Sequence, residues 1–238
     1  MPSSRGPEPD GTPRAPALRV EDLVVSAADG RRLLALPALS LEPGGFLCVA
    51  GPSGAGKSTL LFALGGLAER ATGRVCWDGE DLLAMRPGAR SAFRRERVGF
   101  VFQDFLLFEE IGALANAALG GGWRPPGIRA RVERRARALL ARLDLDPDDP
   151  RPVERFSGGE RQRVALARAL ATEPAVVLAD EPTASLDRAA ADRLVRTLRE
   201  LVVAEGRTLV VVTHDAALRA SAARVVTLAD GAPSGEGA

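Results

Sequence analysis

The chain of 238 residues contains no tyrosine, one histidine and two cysteines. Cys48 and Cys76 lie far apart in sequence, and Cys48 sits in an apolar run, so two buried, reduced thiols of a cytosolic protein are expected here, not a disulfide. An excess of charge of either sign is also missing, with 32 Lys plus Arg against 31 Asp plus Glu. That balance excludes a general attraction to nucleic acid or acidic lipid, so a partner must be chosen by surface shape. No stretch approaches the roughly 20 apolar residues that cross a bilayer. The opening MPSSRGPEPDGTPRAPA lacks the apolar block of a signal peptide and is expected to be a disordered lead-in, residues 1–17. The whole chain, 46% hydrophobic and 26% charged, has a globular composition and is long enough for one domain or a domain with a lobe.

The stretch around which the chain is organised is GPSGAGKST: Gly51, Pro52, Ser53, Gly54, Ala55, Gly56, Lys57, Ser58 and Thr59. It fits the phosphate-binding pattern G-x-x-x-x-G-K-[ST]. Glycines let the backbone fold into a concave nest and bring phosphate oxygens close to amides. Lys57 would set an ammonium on the β- and γ-phosphates, and the Ser58 hydroxyl suits an octahedral magnesium shell. The strand-like FLCVA (Phe46–Ala50) precedes the loop, and the apolar helix TLLFALGGL follows it. A nucleoside triphosphate site is therefore expected.

Strand signals are LRVEDLVV from Leu18, ALSLEPGGFLCVA as strand, turn and strand, and RVCWDGEDL ending in an Asp-Gly turn. VGFVF (Val98–Phe102) stops at Gln103, and AVVLADEP and TLVVVT (Thr208–Thr213) come later. Ala89–Glu96 reads as a helix. The stretch of about 104–160 lacks strand signals and reads as a helical lobe inserted in the α/β core. Within it, Val132, Ala136, Leu139, Leu140 and Leu143 share one helical stripe, while Arg131, Arg134, Arg135 and Arg142 form a solvated face. Arg188–Ala204 is amphipathic. Strands alternating with helices indicate a parallel sheet covered on both faces. In such sheets ligands collect at the carboxyl ends of the strands, where Gly51, Gln103, Asp180, Glu181 and His214 fall.

SGGERQRVALARAL, opening with Ser157, Gly158, Gly159 and Glu160, and VVLADEPTASLD follow GPSGAGKST and VFQD and precede VVTHD. This ordered set, spanning Leu18 to about Asp230, resembles the nucleotide-binding subunit of ABC transporters, in particular the lipoprotein-release and macrolide-export branch. The resemblance implies a RecA-like P-loop NTPase core with a parallel sheet, a small antiparallel β subdomain and the inserted helical lobe, in a domain spanning 18–230 before a flexible tail at 231–238. It implies ATP and Mg²⁺ as ligands, with Glu181 as the catalytic carboxylate and His214 as the γ-phosphate switch. Gln103 and Lys57 would assist catalysis, and Ser58, Gln103 and Asp180 would serve the metal directly or through water.

Ser157, Gly158 and Gly159 open a helix, so hydroxyl, amides and dipole together make an anion site. The family uses that site on the ATP held by a second copy, so the resemblance implies a twofold homodimer with two ATP molecules at its interface and Asp187 crossing it. It also implies a separate integral-membrane permease, a location on the inner face of the cell membrane, and no nucleic-acid partner. A polar amino-acid importer subunit, a signalling ATPase and a soluble cassette protein are the alternatives. Ala27 and Ala28 stand where the family usually stacks adenine on an aromatic residue. That loss is worth about 1 kcal/mol and puts base affinity or selectivity in question. Phe156 and Ala184 replace the usual Leu and Gly.

Overall fold

The computed structural model describes residues 15–122, 124–184 and 186–234. Alternating apolar residues build β1 (Leu18–Ser26) and β2 (Arg32–Leu41), which pair antiparallel. β4 (Ala71–Trp77) turns through Asp78 and Gly79, both with positive φ, into the short β5 (Glu80–Asp81). Two consecutive left-handed residues give the tight hairpin that Asp-Gly favours. Together these strands form a four-stranded sheet in the order β2-β1-β4-β5.

The second sheet has six strands in the order β10-β9-β3-β8-β7-β6. β3 (Phe46–Ala50), β6 (Val98–Val101), β7 (Val176–Asp180), β8 (Thr208–Val212) and β9 (Arg224–Ala229) run parallel, and β10 (Ala232–Pro233) closes the edge antiparallel to β9. Every residue of β3, β7 and β8 is buried. A sheet covered on both faces selects such unbroken apolar runs.

Side-chain alternation divides the interior into two cores. Leu47, Val49, Val176, Leu178, Val210 and Val212 face α1 (Lys57–Leu64) and the four-stranded sheet. Burial of Leu60, Leu61 and Leu64 from α1 contributes about 1.5–3 kcal/mol each. The Trp77 indole N–H donates to the Leu64 carbonyl at 2.9 Å, fastening the four-stranded sheet to the end of that helix. Val177, Ala179, Leu209 and Val211 face the opposite core, shared with α4 (Pro126–Arg142), α5 (Gly158–Ala171) and α6 (Arg188–Leu198).

α2 (Pro87–Arg97) covers the expected Ala89–Glu96 helix. Between β6 and β7 the described residues form no strand, only a single bridge from Gly112 to Pro152. They hold α3 (Ala113–Ala117), α4 and α5. The stripe expected on α4 is buried as a unit, Leu143 included. Its arginine face is less solvated than the sequence suggests. Arg135 is half-buried and pairs with Glu173 at 2.9 Å, and Arg131 pairs with the same carboxylate. α6 continues as a π-helical turn to Val203, and α7 (Ala216–Ser221) follows β8.

The termini also differ from expectation where they are described. The Ala17 amide donates to Asp78 at 2.9 Å and the Thr208 hydroxyl to the Pro16 carbonyl at 3.3 Å, so Ala15–Ala17 are packed, not part of a free lead-in. Residues 1–14 lie outside the described residues. Of the expected tail, Ala232 and Pro233 form β10, and the Gly231 carbonyl accepts from Ala35 on β2; residues 235–238 lie outside the described residues. Edge pairing of this kind depends on what tertiary folding brings alongside, which local pattern does not report.

Candidate active site

β3 delivers Gly51 at φ 145, where a Cβ would lie 2.2 Å from the Leu228 carbonyl oxygen. Only glycine fits so close to a neighbouring backbone. Gly56 caps α1 at φ 88, with no side chain capping the helix and no acidic residue in its first turn. The helices α5, α6 and α7, by contrast, are capped by Ser157, Asp187 and Asp215. The first amides of α1 are thus left for an anion, favoured also by the helix dipole. Ala55 is buried under the loop, whereas Pro52, Ser53 and Gly54 are exposed and Lys57, Ser58 and Thr59 half-buried at its rim. Lys57 Nζ folds back onto the carbonyls of Gly51 at 3.0 Å and Pro52 at 2.9 Å.

Asp180 ends β7 beside this loop with only 4% of its surface exposed, and its Oδ1 has no hydrogen-bond partner. Burial pushes its carboxyl above the ordinary range, and the neighbouring charges of Glu181 and Asp104 push the same way. The Ser58 hydroxyl and Lys57 ammonium pull it down. An orphaned, buried carboxylate oxygen next to a hydroxyl is a hard-oxygen donor set of the kind magnesium selects.

Glu181 follows at φ 44, anchored by its amide to the Val212 carbonyl at 2.8 Å. A bulky residue there is strained, a conformation often kept at sites of chemistry. Its Oε2 accepts from the His214 backbone amide at 3.3 Å and lies 3.0 Å from the ring Nδ1. The carboxylate is 11% exposed and the imidazole 75% exposed, so the acid is held while the ring faces outward. Gln103 is exposed in the turn after β6, next to β7 in the sheet.

Ser157, Gly158 and Gly159 open α5 apart from this cluster. No hydrogen bond or ion pair among the described residues joins them to the phosphate loop. Their local arrangement is a reciprocal cap: Ser157 Oγ accepts from the Glu160 amide at 3.2 Å, and the Ser157 amide donates to Glu160 Oε2 at 2.7 Å. The Ser-x-x-Glu spacing is the sequence signal for such a cap. Asp187 caps α6 by accepting from the Ala190 amide at 2.8 Å. The carbonyls of Phe105 and Leu106, two consecutive left-handed residues just beyond Gln103, both accept from Arg168 of α5. Nothing in the local sequence announces that clasp.

A phosphate loop at the carboxyl end of a parallel sheet, with a buried Asp ending β7, one strand removed across β8, and a held Glu just after it, defines a P-loop nucleoside triphosphatase. The ABC transporter family model matches residues 36–184. The chain is 41% identical over 193 residues to the lipoprotein-releasing system ATP-binding protein LolD 1 of Caulobacter vibrioides, covering 81% of this chain and 82% of that one. It is 43% identical over 198 residues to the macrolide export ATP-binding/permease protein MacB of Rhodopseudomonas palustris, of which it spans 29% while 81% of this chain is covered. A bacterial ABC transporter cassette solved as a dimer superposes with a TM-score of 0.81 at 31% identity, covering 92% of this chain and 97% of that one. The same cassette is known after hydrolysis with ADP and phosphate bound, again at a TM-score of 0.81. The chain belongs to the ABC transporter family and is an ATPase cassette of its lipoprotein-release and macrolide-export branch.

Proposed function

We propose that the chain is the ATP-hydrolysing subunit of a membrane exporter or lipoprotein-release complex, working as a head-to-tail homodimer on a separate permease. The observation that carries the catalytic part is the Glu181–His214 contact at 3.0 Å beside a helix start without a side-chain cap. The amides of Gly54 to Thr59 and the Lys57 ammonium would cradle the β- and γ-phosphates, Lys57 exchanging its loop carbonyls for phosphate oxygens. Ser58 and Asp180, with Gln103 nearby, would hold Mg²⁺, which supplies charge neutralisation on the β- and γ-oxygens.

Glu181 takes a proton from water as the water oxygen attacks the γ-phosphorus and the bond to the β–γ bridging oxygen breaks, giving ADP and phosphate. His214 holds the carboxylate by its backbone amide, with Nδ1 alongside, and would leave its outer edge toward the γ-phosphate. Ser157, Gly158 and Gly159 would close over the nucleotide of the partner copy, with Asp187 beside the crossing. Closure then depends on contacts that exist only while the γ-phosphate is present, which makes hydrolysis a mechanical release.

No described helix is long and apolar enough to cross a membrane, so membrane association would be peripheral, from the cytoplasmic side. Leu106 and Phe108 are exposed just beyond Gln103, at 57% and 58%. Phe100, Phe102 and Leu106 line a groove beside α5 there, a seat for an apolar segment of the permease.

Tagged Glu181→Gln chain loaded with Mg-ATP should retain a stoichiometric multi-spanning protein from detergent-solubilised membranes of the source organism. A Leu106→Asp, Phe108→Asp double variant should lose it. Retention of soluble factors alone would overturn the transporter reading.

A further inference from the structure

The start of α5 is held by a chain of charged contacts that begins outside the signature motif. Arg151 grips Asp149 with two prongs, Nε at 3.1 Å and 3.0 Å from the two carboxylate oxygens and Nη2 at 2.7 Å from Oδ2. The guanidinium lies 4.8 Å from the centre of the buried Phe156 ring, a cation–π distance. Its Nη2 also reaches Glu160 Oε1 at 3.3 Å, while the other oxygen of Glu160 accepts from the Ser157 amide. Ser157, Phe156 and Glu160 are thereby fixed from one side by one arginine.

Two consequences follow from the chemistry of those groups. A serine hydroxyl has one hydrogen and two lone pairs. Because Oγ already accepts from the Glu160 amide, its hydrogen is the part of the hydroxyl that can turn between the Glu160 carboxylate and an incoming nucleotide. A carboxylate directly after a glycine pair meant for phosphate is, however, a repulsive neighbour. The Ser157 amide and hydroxyl, with Arg151, hold the Glu160 carboxyl below its usual range, so the charge is present at neutral pH.

We propose that Arg151 is a positioning residue for the nucleotide held across the dimer: it offsets the charge of Glu160 and locks that carboxylate onto Ser157, so that the hydroxyl and the first amides of α5 face the partner's γ-phosphate. This rests on the head-to-tail reading above. In a single protomer the Arg151 and Glu160 side chains are 45% and 24% exposed, and water screens the pair. In the closed dimer the opposite nucleotide excludes that water, and the offset gains strength. The pair therefore acts on closure, not on folding.

The test is Arg151→Met, which keeps an unbranched apolar stem against Phe156 but removes the charge, built on Glu181→Gln. Light scattering should show that the Mg-ATP concentration for half-maximal dimerisation rises about tenfold or more, as expected for loss of a charge-assisted contact. The melting temperature and the ATP affinity of the protomer should not change. Adding Glu160→Gln, whose amide oxygen still accepts from the Ser157 amide, should recover most of the loss, because the charge beside Ser157 is gone and only the Asp149 carboxylate is left unpaired. Equal dimerisation of Arg151→Met and its parent overturns the inference alone, as does a loss that Glu160→Gln fails to recover, which would mark Arg151 as a structural tie for its loop. A parent that stays monomeric with ATP bound overturns the dimer reading, and this inference with it.

Discussion

Replacing Asp180 by asparagine should stabilise the nucleotide-free chain at neutral pH while abolishing hydrolysis. Asp180 is buried with one carboxylate oxygen unpartnered, and burial is the largest cause raising its pKa in the folded chain. A carboxyl whose folded value lies above its unfolded value gives stability that is fully present below the unfolded value and lost as pH rises through the folded one. Above that folded value the wild type carries a buried charge that costs stability. An unsatisfied buried polar atom costs about 1–3 kcal/mol. The asparagine amide brings two donors of its own that need partners, so roughly 1–2 kcal/mol should be recovered. For a chain of this size that is about 2–8 °C in melting temperature. Thermal unfolding followed by circular dichroism in EDTA should show this gain at neutral pH and show it shrinking as pH falls through the range where the wild-type carboxyl takes up its proton. Phosphate release with Mg-ATP should drop at least about a hundredfold, the scale of a removed preorganised electrostatic contact. An asparagine variant that melts lower than wild type at neutral pH would refute the assignment of Asp180 as a desolvated, metal-ready charge.

The phosphate loop, the Asp180–Glu181 strand end and the signature were legible because each sets backbone and chemistry within a few residues. Gly51 needs no side chain because Leu228 is so close, and that need is written into the motif itself. β3, β7 and β8 were legible for another reason: burial on both faces leaves no polar residue to blur the run. What stayed hidden depends on residues far apart in the chain. The His214–Glu181 contact joins the ends of two strands, Arg168 clasps the carbonyls of Phe105 and Leu106 from another helix, and β10 exists only because β9 lies alongside. Arg131 and Arg135 read as a solvated face because Glu173, which gathers them, is carried by the turn after α5.

Trp77→Phe should remove the partner of the buried Leu64 carbonyl and leave a gap, costing about 2–4 kcal/mol in urea unfolding; a loss below about 1 kcal/mol would show that the indole contact does not fasten the four-stranded sheet to α1. Cys48 is fully buried and its thiol is pushed up to about 11, chiefly by burial. Cys76 is also buried, with its thiol raised by desolvation first. Both should therefore resist a disulfide reagent at mildly alkaline pH in the folded chain and react together on unfolding in urea, and rapid labelling of either in native protein would contradict the packing of β3 or β4.

The most direct test of the central claim, that two copies close around ATP and part on hydrolysis, is the mass of Glu181→Gln in solution by light scattering. The account predicts a dimer with Mg-ATP, and a monomer with Mg-ADP or with no nucleotide. A chain that binds Mg-ATP to saturation and keeps the mass of a single copy would contradict it.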